Sequence, residues 1–236
     1  MSTCLLCHNY FEEAHSWSTL FSVRAPDPIC ITCTSKFEMI HGDICAICGR
    51  PFAQLAEVYR DGNLCYDCIR WEQDQRWQGV LTMNRSVFLY NEFAKEVISL
   101  YKFRSDYIVS DVFTTNIKKT FQKHYTSNYL IIPIPLSNER LYERGFNQAT
   151  VLAQKLGQPI HEVLSRFHHE KQSKKGRADR LESENVFQVV DSAVVKGKDI
   201  LLIDDIYTTG STLRQAGETL LHAGANIISS LTLMRS

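Results

Sequence analysis

Asp204 and Asp205 follow a four-residue apolar run, Ile200-Leu201-Leu202-Ile203, and stand just ahead of Thr208-Thr209-Gly210-Ser211-Thr212, after which a helical pattern begins. Apolar residues bounded by polar ones read as a short buried strand, and the hydroxyl-rich turn with its glycine marks where that strand passes into a helix. Backbone N–H groups at a helix start have no partner inside the helix, and the helix dipole adds partial positive charge there, so such a turn is an anion cradle. Two carboxylates would repel a phosphate lying on them, but they accept hydrogen bonds from sugar hydroxyls one ribose-length away. The residue types therefore describe a site for a ribose 5-phosphate. Its diol would meet Asp204 and Asp205, and its phosphate Thr208, Thr209, Gly210, Ser211 and Thr212.

A cationic counterpart lies upstream. Arg140 and Arg144 belong to the run R-L-Y-E-R-G-F-N-Q, between a strand closed by Pro133-Ile134-Pro135 and a helical pattern. Two guanidinium groups before a glycine at a strand-to-helix junction offer fixed positive charge to a multiply charged anion; the other reading is surface pairing with Glu139 and Glu143. Further on, Arg166, Lys171, Lys174, Lys175, Arg177 and Arg180 are opposed only by Glu170 and Asp179. Gln172, Ser173 and Gly176 give that stretch the composition of a mobile loop. Its cations suit the phosphates of a single-stranded nucleic acid, and a solvated charged loop is the alternative.

All eight cysteines occur as C-x-x-C pairs: Cys4/Cys7, Cys30/Cys33, Cys45/Cys48 and Cys65/Cys68. A two-residue gap lets both thiolates of a tight turn reach one metal, and two such turns complete a tetrahedral Cys₄ zinc site. Eight ligands make two structural zinc sites. Sequential pairing would join Cys4, Cys7, Cys30 and Cys33, then Cys45, Cys48, Cys65 and Cys68, and spacing alone does not exclude a cross-braced arrangement. A redox dithiol is the competing reading. Asp61-Gly62-Asn63 reads as a hairpin turn leading back to Cys65. So short a segment buries little core and would fold only with its metal, and Trp71 and Trp77 would pack it on the next domain.

The elements that must position these groups follow from periodicity. Asn91 caps a helical pattern with Phe93, Val97, Leu100 and Tyr101 as its stripe, and Val109, Phe113, Ile117 and Phe121 recur at intervals of four. Tyr129 to Ile132 reads as a buried strand, residues 149–156 as a helix closed by Gly157, residues 185–190 as a return strand, and Ile227 to Leu233 as a final strand. Leu213, Ala216, Leu220 and Leu221 form the inward stripe of the helix after the threonine-rich turn. Strands alternating with helices predict an α/β fold, a parallel sheet flanked by helices with ligands beyond the strand carboxyl ends. The expected division is a double zinc-ribbon module over residues 1–79 and the α/β domain over 80–236. Charge is balanced at 26 basic and 26 acidic residues, so no global field points to nucleic acid or membrane. No basic-then-apolar leader opens the sequence and no apolar run nears the roughly 18 residues of a span, so a soluble cytoplasmic protein without membrane insertion is expected.

The acidic pair with its T-T-G-S-T turn resembles the phosphoribosyl-pyrophosphate (PRPP) loop of type I phosphoribosyltransferases. Within that superfamily, R-x-x-x-R-G-F-N-Q after a proline-ended strand, together with the paired cysteines ahead of it, resembles the ComF family of competence proteins. The resemblance implies a type I phosphoribosyltransferase-like sheet, with PRPP or a related nucleotide phosphate and Mg²⁺ at Asp204 and Asp205, which in an active enzyme are catalytic. It implies pyrophosphate on Arg140 and Arg144. A flexible hood carrying Lys171, Lys174, Lys175, Arg177 and Arg180 would neutralise pyrophosphate or contact single-stranded DNA. It also implies a role in DNA uptake during natural transformation, beside a DNA-translocating helicase. The alternative is nucleotide salvage, transfer of ribose 5-phosphate from PRPP to a nucleobase. Against it, Thr208 stands where hypoxanthine-type enzymes carry an acidic residue, and no general base is evident.

Overall fold

The computed structural model describes residues 2–12, 27–103, 107–167 and 186–236. The cysteine region is built from small pieces: β1 (Ser2–Thr3), β2 (Tyr10–Phe11), α1 (Ile31–Thr34), β3 (Arg60–Asp61), β4 (Leu64–Cys65) and α2 (Tyr66–Gln73). The larger part follows as β5 (Met83–Leu89), α3 (Glu92–Phe103), α4 (Thr114–His124), β6 (Leu130–Pro133), α5 (Asn138–Arg144) and α6 (Gln148–Lys155). It is completed by β7 (Leu164–Arg166), β8 (Phe187–Val189), α7 (Ser192–Val195), β9 (Asp199–Tyr207), α8 (Ser211–His222) and β10 (Ile227–Arg235). Four strands form the sheet in the order β5-β10-β9-β6, and each neighbouring pair is parallel.

The alternation of β9 builds the core on both faces of this sheet. Leu201 and Ile203 join a cluster with Val97, Phe113, Ile117 and Leu152, whereas Ile200 and Leu202 join another with Leu213, Ala216 and Leu220. A parallel sheet needs both faces covered, which is why its strands read as unbroken apolar runs. Asn91 caps α3 as expected, its Oδ1 accepting the Ala94 N–H at 2.8 Å. The buried face of that helix is Ala94, Val97, Ile98 and Tyr101, with Leu100 only half-buried.

Three local expectations change. The four-residue spacing from Val109 to Phe121 spans two elements, a 3₁₀ turn over Tyr107–Phe113 and then α4. The arginine run is a short helix, α5, rather than a bare junction. Pro133 lies inside β6 as its last residue, tolerated because β6 is an edge strand. Short β7 and β8 pair antiparallel, with Arg166 opposite Phe187. Lys171, Lys174, Lys175, Arg177 and Arg180 lie outside the described residues. Among the described residues no helix is long and apolar enough to cross a membrane.

Candidate phosphate-binding cleft and metal centres

β9 runs on to Tyr207, so Asp204 and Asp205 belong to the strand's carboxyl end instead of following it. Alternation sends their side chains to opposite sides, and the Asp205 N–H donates to Asp204 Oδ1 at 2.9 Å. Lys102, in the last turn of α3, reaches Asp205 Oδ2 at 2.6 Å. Burial, then the neighbouring Asp205 charge, pushes the Asp204 carboxyl up to about 7, with Lys102 and Arg166 pulling the other way. A carboxyl held there binds a proton, a hydroxyl or a cation in exchange for one another near neutrality.

The turn after β9 is shaped by Gly210, whose φ of 81° is left-handed. A Cβ at this position would lie 2.2 Å from Tyr207 Oη and 2.6 Å from an Arg214 nitrogen, so only glycine fits. Ser211 then opens α8, and its N–H points back to Thr209 Oγ1 at 3.3 Å. Arg214 is fully buried beneath this turn and donates to Tyr207 Oη at 3.0 Å.

Across the cleft, Ser137 caps α5 and Gly145 ends it with φ 75°, which brings Arg140 and Arg144 onto successive turns of one face. Arg144 donates to Gln148 Oε1 at 2.9 Å, and Asn147 both caps α6 and donates to the Ile134 carbonyl at 3.0 Å. The bond to Gln148 fixes where the Arg144 guanidinium stands. The resulting cavity of about 170 Å³ is lined by Asp204, Asp205, Arg140, Arg144, Arg166 and Lys102, with Thr212 at its loop side. Burial and the charge of Arg140 depress the Arg166 pKa, while Asp204 opposes them. The cleft thus sets three guanidinium groups against two carboxylates, the charge pattern of a ligand that is polyphosphate at one end and polyol at the other.

The sequence reading placed Thr208 to Thr212 as one cradle, and the structure divides them. Thr212 lines the acid–arginine cleft, whereas Thr208 and Thr209 line a second cleft of about 370 Å³ shared with Arg50, Arg70 and Trp71 of the cysteine region. Lys102 received no role from sequence because it carries no motif, and Arg166 was read only as the first cation of the basic run rather than as part of this cleft.

The cysteines gather in sequential order, Cys4, Cys7, Cys30 and Cys33 in one group and Cys45, Cys48, Cys65 and Cys68 in the other. Within each group all the sulfurs lie within 4.8 Å of one another, and none of the eight is in a disulfide. Cys7 and Cys30 sulfurs are 3.8 Å apart and those of Cys48 and Cys65 3.6 Å. A tetrahedral zinc with bonds of about 2.3 Å holds sulfurs roughly 3.8 Å apart, so both groups fit the metal. The hairpin at Asp61-Gly62-Asn63 forms as expected, pairing Arg60 with Cys65.

The second group is tied to the turn after β9 through Arg235 and Trp71. Arg235 donates to Cys48 Sγ at 3.6 Å and to the Tyr207 and Thr208 carbonyls at 3.3 and 3.1 Å. Trp71, one turn beyond Cys68 on α2, donates its Nε1–H to the Thr209 carbonyl at 3.1 Å and stacks on Arg214 at 4.7 Å. Arg76 grips Glu218 of α8 with two bonds, of 2.6 and 3.0 Å.

A double zinc ribbon docked on a phosphoribosyltransferase-like domain is the class of protein that this fold and site define. The Double zinc ribbon domain family matches residues 2–69, and the Phosphoribosyl transferase domain family matches residues 141–236. The chain is 43% identical to the competence protein ComFC of Bacillus subtilis (strain 168) over 235 residues, covering 99% of this chain and 95% of that one. Identity to ComFC of Streptococcus pneumoniae (strain ATCC BAA-255 / R6) is 34% over 233 residues, 98% and 99% of the two chains. The DNA utilization protein YhgH of Escherichia coli O157:H7 is 25% identical over 232 residues, 88% of this chain and 97% of that one. The chain belongs to the ComFC family of competence proteins.

Proposed function

We propose that this competence protein acts in the cytoplasm on incoming single-stranded DNA, beside a DNA-translocating helicase, and that its phosphoribosyltransferase-like domain binds PRPP or a related nucleotide phosphate. The observation that carries the ligand assignment is the shared cleft of Asp204, Asp205, Arg140, Arg144 and Arg166. Its arginines match a pyrophosphate and its carboxylates a ribose diol. The loop at Gly210 and the start of α8 supply N–H groups to the 5-phosphate.

Mg²⁺ fits the same place, because a hard cation takes oxygen donors and few protein ligands when substrate phosphates share it. Asp204 and Asp205 would hold it with the diol, and it would neutralise pyrophosphate charge. Lys102 pairs with Asp205 at 2.6 Å, so a cation held there would compete with that ammonium. The five hood cations, Lys171 to Arg180, take the strand's phosphates in this reading.

A second reading, transfer of ribose 5-phosphate to a nucleobase, has one observation in its favour. Asp204, poised at about 7, accepts a proton near neutral pH.

Calorimetric titration of the protein with PRPP and Mg²⁺ tests the ligand assignment. One saturable site is expected, absent from Asp204→Asn/Asp205→Asn; heats indistinguishable between the two proteins would refute it. Base-dependent release of pyrophosphate from PRPP would establish the transferase reading, and its absence across the common bases would remove it.

A further inference from the structure

A third cavity, of about 210 Å³, opens on the other edge of the sheet, between residues 39–49 of the cysteine region, β5 and α4. Its ionisable lining is His41, Arg85, Lys119, Lys123 and His124, without a carboxylate. Both clefts around the phosphate turn contain two aspartates each, so the absence of acid sets this one apart.

Among the described residues no carboxylate forms a salt bridge with any of these cations. The α4 sequence, TTNIKKTFQKH, contains no acidic residue, so its lysines have no partner on their own helix. Arg85 spends one nitrogen on the Ala46 and Asn84 carbonyls, at 3.0 and 2.7 Å, while its Nε is buried with no acceptor. Burial depresses the Arg85 pKa, with charge at Tyr125, Cys45 and Cys48 pulling the other way, and burial together with Arg85 and Lys123 depresses that of His124. A buried guanidinium nitrogen without an acceptor is costly, and an anion entering beside the group lowers that cost.

The walls are preformed. Gly49 packs so closely on β5 that a Cβ would lie 3.1 Å from the Asn84 carbonyl, and Asn84 Nδ2 donates to the Cys48 carbonyl at 3.2 Å. Lys119 and Lys123 stand on successive turns of α4, about 6 Å apart along its axis. That interval is comparable with the separation of neighbouring phosphates in an extended strand.

We propose that this cavity is a second contact for single-stranded DNA, with one backbone phosphate at Arg85 and His41 and its neighbours on Lys119 and Lys123. The inference rests on the reading that the chain handles single strands, and it adds a place for the strand remote from the PRPP cleft. This cavity holds the strand beyond β5, at the edge of the sheet opposite β6.

The test uses the zinc-loaded full chain and a labelled single-stranded oligonucleotide in fluorescence polarisation, titrated with salt. Lys119 and Lys123 are exposed, so Lys119→Gln/Lys123→Gln leaves the fold intact. Loss of two phosphate contacts makes the salt dependence shallower by about 1.4, at about 0.7 per contact on a single strand, and weakens binding on the order of tenfold near physiological salt. PRPP titration of the same variant stays unchanged. If the wild type binds the oligonucleotide and the variant keeps its slope and affinity, the cavity is not the contact while the broader reading stands. No oligonucleotide binding by the wild type at any salt overturns both. A loss confined to duplex DNA, or to inorganic pyrophosphate, overturns the assignment to single strands.

Discussion

The two cysteine tetrads are made of the same paired thiols and sit against opposite faces of the sheet in different company. Cys4, Cys30 and Cys33 pack in the cluster of Phe37, Phe88 and Phe113, and the fourth thiol, Cys7, is exposed. Phe37 packs with ring centroids 4.7 Å from Phe88 and 5.0 Å from Phe93, and the bonds beside it, such as Leu89 N–H to the Glu38 carbonyl at 2.8 Å, reach β5 and not the turn after β9. All four thiols of the second tetrad are buried, and its attachments are directional bonds: Arg235 to Cys48, Asn84 to the Cys48 carbonyl, and Trp71 to the Thr209 carbonyl. Apolar packing tolerates small rearrangements, whereas hydrogen bonds to a loop's carbonyls fix that loop's geometry. The first tetrad therefore secures the fold, and the second also sets the turn after β9.

The largest test of that difference removes one thiol from each tetrad. Cys65→Ser should lose one zinc and weaken PRPP binding by about 100-fold, the upper end of what a metal's supporting shell contributes. Cys7→Ser should also lose one zinc yet leave PRPP affinity within about threefold, since distant sites act independently. A chromogenic zinc count beside calorimetry reads both, and equal losses would erase the distinction.

Gly210→Ala strains the turn without touching either tetrad. A Cβ in left-handed backbone pressed on Tyr207 and Arg214 should cost about 1–3 kcal/mol in denaturant unfolding. Both zincs should remain, which separates damage to the loop from damage to the metal that supports it.

Asp204 gives a pH signature confined to the phosphate side. Its folded pKa is raised from 3.8 to about 7, so the folded state holds the proton more tightly than the unfolded chain does. Stability is then fullest below the ordinary carboxylate range and declines as pH rises toward 7, and Asp204→Asn should flatten that decline. Mg²⁺-dependent PRPP binding has the opposite sign, strengthening by roughly tenfold from pH 6 to 8 as the carboxyl ionises. The Asn variant should show no such rise.

The smallest effect is expected from Trp71→Phe. It keeps most of the apolar packing and loses the Nε1–H bond to Thr209, so PRPP affinity should fall by about 0.5–1.5 kcal/mol with both zincs retained. An unchanged affinity would leave Arg235 as the tie that matters between second tetrad and turn.

Much of this was legible because the signals were local. The C-x-x-C spacing foretold two four-cysteine groups, and the unbroken apolar run at 200–203 foretold a strand covered on both faces. Acid, glycine and hydroxyl residues in one order marked the turn from β9 into α8. What stayed hidden depends on tertiary contact. Lys102 reaches Asp205 only because α3 ends beside β9, and Arg166 faces Asp204 only because β7 brings it there. Arg235 looks like an ordinary strand end in sequence, yet it joins Cys48 to the Tyr207 and Thr208 carbonyls. The helix over Asn138–Arg144 was missed because its seven residues are polar on most sides and show no apolar stripe.

The central claim, that the turn after β9 and the arginine helix α5 close on one phosphoribosyl ligand, is tested most directly by amide hydrogen exchange with and without PRPP and Mg²⁺. Protection should rise together in residues 207–214 and 138–149, and Asp204→Asn/Asp205→Asn should abolish it. Protection in neither segment at saturating ligand, or protection in the double variant equal to wild type, would contradict the account.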